Sequence, residues 1–405
     1  MYKFAFEQRN LNYNRYNGDH QLKRLYTLAS LVTGVLLVGL LMLHNGGQDA
    51  NAQIGPPPAT LASNNYPQPA PKFYGSADDW LNTDGKPLSM QTLTKEHKVV
   101  LVDFWEYTCV NCIRTLPYLR EWNKRYAKDG LVIVGIHTPE FKFAHKRANV
   151  LTAIGHLGIT WPVLVDSSYK NWDAWQGAEG FWPRDYLVNA NGQVVEDHAG
   201  EGGYGRTEQT IQQLLLQVHP NLKFPPIMAP VHSADKVGAR CFPMTPETYC
   251  GERGYQSGVL GDIPNFQVGQ TLQLPVPTAP LVDGVVYPVG TWITQAESLQ
   301  NGQTTTNLAD RILLKYHAIT ANAVIRPKDN KVIRVFILQD GKPVPPQNKG
   351  QDIRYTPTGQ SYLLVNQPRM YNIIRNKEYG SHILTLASNS SAFDLYSFTF
   401  TSCEE

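Results

Sequence analysis

The sequence predicts an α/β domain followed by an all-β sandwich domain, with an N-terminal transmembrane helix in front of both. Three observations carry this reading. Leu25 to Leu43 contains no charged residue. From about Phe73 to Val218, apolar β-branched runs alternate with segments of helical periodicity. From residue 266 onward, short alternating runs are divided by turn signals.

At 405 residues the chain is too long for one small domain. Its net charge of +2 gives no reason to invoke nucleic acid or an acidic substrate. Residues 1–24 are polar and carry Lys3, Arg9, Arg15, Lys23 and Arg24 against Glu7 and Asp19. After the apolar run, no Lys or Arg occurs until Lys72. This asymmetry places residues 1–24 in the cytoplasm and everything after His44 outside. At 1.5 Å per residue the apolar run just spans a hydrocarbon core of ~30 Å. Residues 25–44 therefore read as an anchor. A cleaved signal peptide is the alternative, since Ala50-Asn51-Ala52 has the small-residue spacing of a cleavage site. Residues 45–72, with Pro56-Pro57-Pro58 and a second proline cluster ending at Pro71, read as an extended spacer.

The α/β domain is expected over residues 73–222. Val99 to Val102 reads as a buried strand. Ile113, Leu116, Leu119, Trp122 and Tyr126 then mark one face of a helix. A strand at Leu131 to His137, a weaker helix at about Phe141 to Leu157 and a strand at Trp161 to Asp166 follow. Arg184 to Val188 and Gln193 to Asp197 form a hairpin over Asn189-Ala190-Asn191-Gly192. Thr207 to Val218 closes the domain as an amphipathic helix. Two parallel crossovers, a hairpin and a closing helix give a sheet with helices on both faces. The proline-rich residues 223–265 read as a connector. Within 266–405, strands are expected at Arg311 to Tyr316, Lys331 to Gln339, Ser361 to Val365, His382 to Ala387 and Phe393 to Thr401.

The chemistry is concentrated at Cys109-Val110-Asn111-Cys112. Cys109 falls where a strand runs into a helix, and the positive end of a helix favours a thiolate. A zinc site needs four ligands, and the other cysteines lie more than 125 residues downstream. A reactive dithiol is the better reading. Asp103 interrupts an apolar strand six residues before Cys109. A carboxyl buried there has a raised pKa and can relay a proton to and from the second cysteine, with a strand-end Asp that reaches solvent as the alternative. Pro117 falls inside the helix, and Trp182-Pro183 precedes a strand that must return beside the dithiol.

The arrangement Val102-Asp103-Phe104-Trp105, Cys109-x-x-Cys112, Pro117 and Trp182-Pro183 resembles the thioredoxin superfamily. The spacing of the acid, both cysteines and the helix proline matches that superfamily position by position. More narrowly, Asn111-Cys112-Ile113-Arg114-Thr115-Leu116-Pro117-Tyr118-Leu119 and His137-Thr138-Pro139-Glu140-Phe141 resemble the DipZ/TlpA-like thiol–disulfide oxidoreductases. Gly200-Glu201-Gly202-Gly203-Tyr204, Thr245-Pro246-Glu247-Thr248-Tyr249 and Gln367-Pro368-Arg369-Met370-Tyr371 agree with that resemblance.

The resemblance implies a thioredoxin-like domain joined to a sandwich similar to a carbohydrate-binding module. It implies Cys109 as nucleophile, Cys112 as resolving thiol, Asp103 as buried proton relay and Pro183 as a cis-proline whose loop pairs with the substrate peptide. Trp105 and Trp182 are substrate-binding candidates. Glu140 is a candidate for a place near the dithiol, with a helix-start acid as the alternative. No cofactor is expected. The expected partners are disulfide-containing envelope proteins. Because the chain lacks a multi-helix electron-delivering membrane domain, a separate membrane reductase of the DsbD/CcdA kind is implied if it acts as a reductant. The dipeptide Val110-Asn111 contains no His or Lys to stabilise a thiolate, which favours a reductant or isomerase over a strong oxidant. Trp292, Tyr287, Tyr355 and Tyr362 are candidates for a glycan contact by residue type alone. Of the remaining cysteines, Cys241 and Cys250 flank a loop of eight residues and are the expected disulfide. Cys403 can pair with either or stay free.

Overall fold

The computed structural model describes residues 65–177 and 180–403. The expected anchor at 25–44 lies outside the described residues, among which no helix is long and apolar enough to cross a membrane.

The α/β domain is built on seven strands: β1 (Gln68–Pro69), β2 (Trp80–Leu81), β3 (Val99–Trp105), β4 (Leu131–His137), β5 (Val163–Val165), β6 (Arg184–Val188) and β7 (Gln193–Ala199). Their order across the sheet is β1-β7-β6-β3-β4-β5-β2. Central β3 runs parallel to β4 and antiparallel to β6, and all seven of its residues are buried. The sheet takes in the end of the proline-rich spacer, because Gln68 and Pro69 pair with Val194 and Gln193.

The pleat decides what each strand residue meets. Val100, Val102 and Phe104 face a core that includes Met90 and Leu93 of α1 (Met90–Lys95). Leu101 and Trp105 face the opposite core, built from Leu116, Leu119 and Trp122 of α2 (Val110–Tyr126). Val150 and Ile154 of α3 (Arg147–Leu157) lie in that second core. The short α4 (Lys170–Trp175), not expected from sequence, adds Ala174 and Trp175 to the first core. Ile211, Leu214 and Leu215 of α5 (Tyr204–Val218) complete the second. Asp103, in phase with Leu101 and Trp105, therefore points toward α2.

The connector is tied down along its length. Tyr118 of α2 donates its hydroxyl to Asp235 at 2.6 Å and accepts the Val231 N–H at 2.7 Å. Glu208 of α5 accepts the Met228 N–H at 2.7 Å. The connector also contains β8 (Thr248–Tyr249) and α6 (Gly251–Gln256).

The C-terminal region is a large β-sheet of eleven strands that begins with β8. The others are β9 (Thr271–Leu274), β10 (Val286–Thr294), β11 (Leu299–Asn301), β12 (Arg311–Pro327), β13 (Ile333–Gln339), β14 (Lys342–Pro343), β15 (Ile353–Tyr355), β16 (Ser361–Val365), β17 (Arg369–Ala387) and β18 (Phe393–Thr401). The sheet is one hydrogen-bonded network. Residues 311–314 of β12 pair with β10, while residues 320–327 pair with β18. Register shifts near Ala318 and Asn322 let this strand change partners. The turns Asp329-Asn330 and Asp340-Gly341 have positive φ at both residues, which short polar side chains and glycine tolerate.

The expected Cys241–Cys250 disulfide is overturned. Cys241 bonds Cys403, across a sequence separation of 162 residues. An antiparallel bridge aligns the two residues, and the Phe242 N–H donates to the Ser402 carbonyl at 3.2 Å. Cys250 is instead a free thiol in the C-terminal core, and burial pushes its pKa up. Loop length alone missed this because the β-sheet, not the local chain, brings the termini of the domain together. Replacing Cys403 by Ser is expected to cost about 2–5 kcal/mol of stability in denaturant unfolding. Unchanged unfolding would mean that the bond constrains nothing.

Candidate active site

Strand β3 ends at Trp105, and four residues later Cys109 caps α2 with extended backbone, φ −76° and ψ 113°. Its Sγ accepts the Cys112 N–H at 3.3 Å, so one of the unpaired amides of the first helical turn is satisfied by the sulfur. Cys109 is half-buried and Cys112 buried, and neither is in a disulfide. Cys112 lies on the helix face that meets the sheet, beside Leu116 and Leu119.

The electrostatics differ from the expected helix-end effect. Burial pushes the Cys109 thiol pKa up, hydrogen bonds with Cys112 pull against it, and the charges of Glu106 and Glu247 add to the rise. Burial raises Cys112 well above the ordinary thiol value, its neighbour Cys109 adds to that, and Asp103 adds a smaller push. A thiol raised in this way does not stabilise the reduced form as a thiolate.

Asp103 is buried opposite Asp185 of β6, with Gly135 of β4 on its other side. A Cβ at Gly135 would stand 2.9 Å from Trp105 Nε1, so glycine leaves room for that indole against the strand. Burial holds the Asp103 carboxyl well above the usual range, and the facing Asp185 raises it further. Asp185 is itself pushed up to about 7, again by burial. Asp185 is a partner that the motif does not reveal. The only signal was a carboxylate in phase with Leu187 on the inner face of β6.

The Trp182-Pro183 peptide is cis. The Pro183 carbonyl accepts the Gly200 N–H at 2.8 Å, which ties this turn to the end of β7. Trp182 stands against Trp172, ring centroids 4.4 Å apart, and packs on the same cluster as Cys109. Beside it Phe181 is 51% exposed, a surface apolar group that sequence reading passed over. Trp105, by contrast, is 1% exposed and belongs to the core, so it cannot contact a substrate. The pleat explains this: its position in β3 points it at α2. Phe181→Ala is expected to raise the KM for a protein disulfide about tenfold, the equivalent of about 1.4 kcal/mol of apolar contact. Exchange with a small disulfide should not change.

Glu140 follows β4 and joins the two domains. It accepts the Tyr249 hydroxyl at 2.7 Å and Arg253 Nη1 at 3.1 Å. Burial pushes it up to about 7, Glu247 and Glu106 adding to the rise and Arg253 opposing it. Its hydrogen bonds therefore go to the C-terminal domain. Around it, Phe141 and Phe143 meet Tyr396 at 5.2 and 4.8 Å, and Tyr249, Val324 and Tyr396 share one core with Tyr107 and Cys112. The C-terminal domain is thus packed on the dithiol side of the α/β domain.

The aromatic glycan candidates divide. Trp292 is fully buried with Nε1 donating to the Val289 carbonyl at 2.9 Å, and Tyr287 is buried as well. Neither can form a sugar platform. Tyr355 and Tyr362 are half-buried. Among the described residues no group of three or more His, Cys, Asp or Glu is placed to hold a metal.

Residues 67–215 match the Redoxin family and residues 245–401 match the family described as thioredoxin-like C-terminal domain. Protein DipZ of Mycobacterium tuberculosis is 38% identical over 173 residues, 42% of this chain and 24% of that protein. The chain therefore spans about a quarter of that relative's length. Thiol-disulfide oxidoreductase YkuV of Bacillus subtilis is 27% identical over 150 residues, 37% of this chain and 96% of YkuV. A thioredoxin-family thiol:disulfide interchange protein of Chlorobium tepidum superposes with a TM-score of 0.31 at 24% identity, over 38% of this chain and 99% of that one.

Proposed function

With residues 67–215 in the Redoxin family and residues 245–401 in the family of thioredoxin-like C-terminal domains, we propose that this chain is a thiol–disulfide oxidoreductase that reduces disulfides in protein clients. The observation that carries the proposal is the half-buried Cys109 at the helix cap, with buried Cys112 one turn on and the cis-Pro183 loop packed on the same cluster.

In the first step the Cys109 sulfur attacks one client sulfur, forming a mixed disulfide and releasing the second client sulfur as a thiol. Cys112 then gives up its proton with Asp103 as relay and attacks Cys109. The Cys109–Cys112 disulfide closes and the client's first sulfur leaves as a thiol. Two electrons and two protons pass from the dithiol to the client. The raised Cys109 pKa supports this direction, because strong oxidants of this chemistry stabilise their reduced form.

The protein is held on the outer side of the cytoplasmic membrane by residues 25–44, in the periplasm or an equivalent space. Two observations support this: the charge asymmetry about the apolar run, and the Cys241–Cys403 bond, which suits an oxidising compartment. Its clients are envelope proteins, and its electrons come from a membrane reductase of the DsbD/CcdA kind. The C-terminal β-sheet region orients protein substrates. The test is capture: Cys112→Ala should accumulate mixed disulfides with envelope proteins. Recovery of none, from cells in which the variant is folded, would contradict the proposal.

A further inference from the structure

Arg114 and Glu201 come from the motifs Asn111 to Leu119 and Gly200 to Tyr204, and the exchange steps use neither. The fold brings them together: Arg114 Nε donates to Glu201 Oε2 at 2.7 Å. Their side chains are 14% and 25% exposed, so the pair is shielded from most of the solvent. A shielded hydrogen bond between charged groups is short, strong and directional.

Each end of the pair leads to one side of the site. Arg114 lies in α2, two residues after Cys112 and five after Cys109. Its backbone carbonyl meets His232 Nε2 of the connector at 3.1 Å. Glu201 lies in the turn after β7, next to Gly200, whose N–H donates to the Pro183 carbonyl at 2.8 Å. Pro183 immediately precedes β6, and Arg184 of that strand pairs with Phe104 of β3. The Pro183 loop therefore stands level with the end of β3, where the turn to the dithiol begins. A continuous path of direct contacts runs from the dithiol helix through Arg114, Glu201 and Gly200 to Pro183.

The turn cannot supply its own stiffness. Gly200, Gly202 and Gly203 all have positive φ, and Glu201 is the one side chain among them. Glycine leaves a backbone free to move unless a contact fixes it. One helical turn beyond Arg114, Tyr118 stacks on Tyr204 with ring centroids 3.6 Å apart. That contact fixes the start of α5, while Arg114 fixes the turn that holds Pro183.

We propose that Arg114 and Glu201 are positioning residues whose ion pair sets the gap between Cys109 and the Pro183 loop, and with it the rate of exchange with disulfides carried on a polypeptide. The proposal rests on the exchange reading above and deepens it. A client whose backbone lies along the loop must present its sulfur to Cys109 at a fixed distance, and a misplacement of ~1 Å costs up to ~10²-fold in rate. A small disulfide without a peptide backbone needs only an accessible Cys109. The pair thus acts on the choice between protein and small disulfides, not on the sulfur chemistry.

The test measures two rates for the full chain: reduction of insulin, and reduction of hydroxyethyl disulfide, a neutral compound with no peptide backbone. Wild type is compared with Arg114→Gln, Glu201→Gln and Glu201→Asp. In each Gln variant the ratio of the insulin rate to the small-disulfide rate should fall about tenfold. Glu201→Asp keeps both charges but draws the carboxylate back by one methylene, and its ratio should fall about threefold. It decides the matter if the Gln variants fail to fold. A role in stability alone changes the amount of folded protein and lowers both rates together, so an unchanged ratio in folded variants overturns the proposal. Wild type that reduces neither disulfide overturns the exchange reading instead.

Discussion

Replacing Cys109 by Ser is expected to bring insulin-disulfide reduction by the full chain down to background, and this is the largest effect the structure predicts. Cys109 is the half-buried sulfur of the pair, while Cys112 is closed off beneath it. Only Cys109 can meet a client sulfur. A serine hydroxyl at the same helix cap keeps the hydrogen bond to the Cys112 N–H but does not ionise near neutral pH, and thiolate chemistry stops. Cys112→Ala should behave differently, forming the mixed disulfide at a near-normal rate and then stalling. Retained activity in Cys109→Ser would remove Cys109 from its role.

The second large effect concerns Asp103, and it has two signs. Asn at this position keeps the shape but removes the proton that the relay uses. Resolution of the mixed disulfide should slow by about 10²-fold, within the range of general acid–base catalysis. Stability should move the other way. Asp103 and Asp185 face each other in the core, and burial raises both. A carboxyl whose folded pKa is raised contributes stability that is fully present below its unfolded value near ~4 and lost as pH rises through the folded value. With Asp185 at about 7, the loss runs from roughly pH 4 to 7 and beyond. Asp103→Asn is therefore expected to be more stable than wild type above pH 7, by about 1–4 kcal/mol. The difference should shrink as pH falls and vanish below ~4, where both carboxyls are protonated in either state. Denaturant unfolding at several pH values reads this directly. A variant destabilised equally at every pH would contradict it.

Much of the α/β domain was legible because period and burial coincide. The apolar run of β4 from Leu131 to His137 has no other use than a buried strand. In the C-terminal region, Ser361–Val365 and Phe393–Thr401 were readable from alternation bounded by turns. The long β12 and β17 were read only at one end. Their Asn and Thr residues, such as Asn322 and Thr320, break the alternation where the strand changes partners.

The site divides in the same way. The dithiol and Asp103 are local in sequence, and a strand–helix junction fixes their relation. Asp185, Glu247 and the Cys403 partner of Cys241 come from distant segments, and register and domain packing alone bring them in. Trp105 shows the converse error: it was a substrate-binding candidate, whereas the pleat turned it into the core.

The claim at the centre of this account is that Cys109–Cys112, with the Cys109 thiol raised by burial, is a reducing couple. Its most direct test is the reduction potential of the full chain, measured by equilibration with glutathione. The account predicts a value within the range of about −200 to −270 mV spanned by glutaredoxins and thioredoxin. A value near about −120 mV, at the strongly oxidising end, would contradict it.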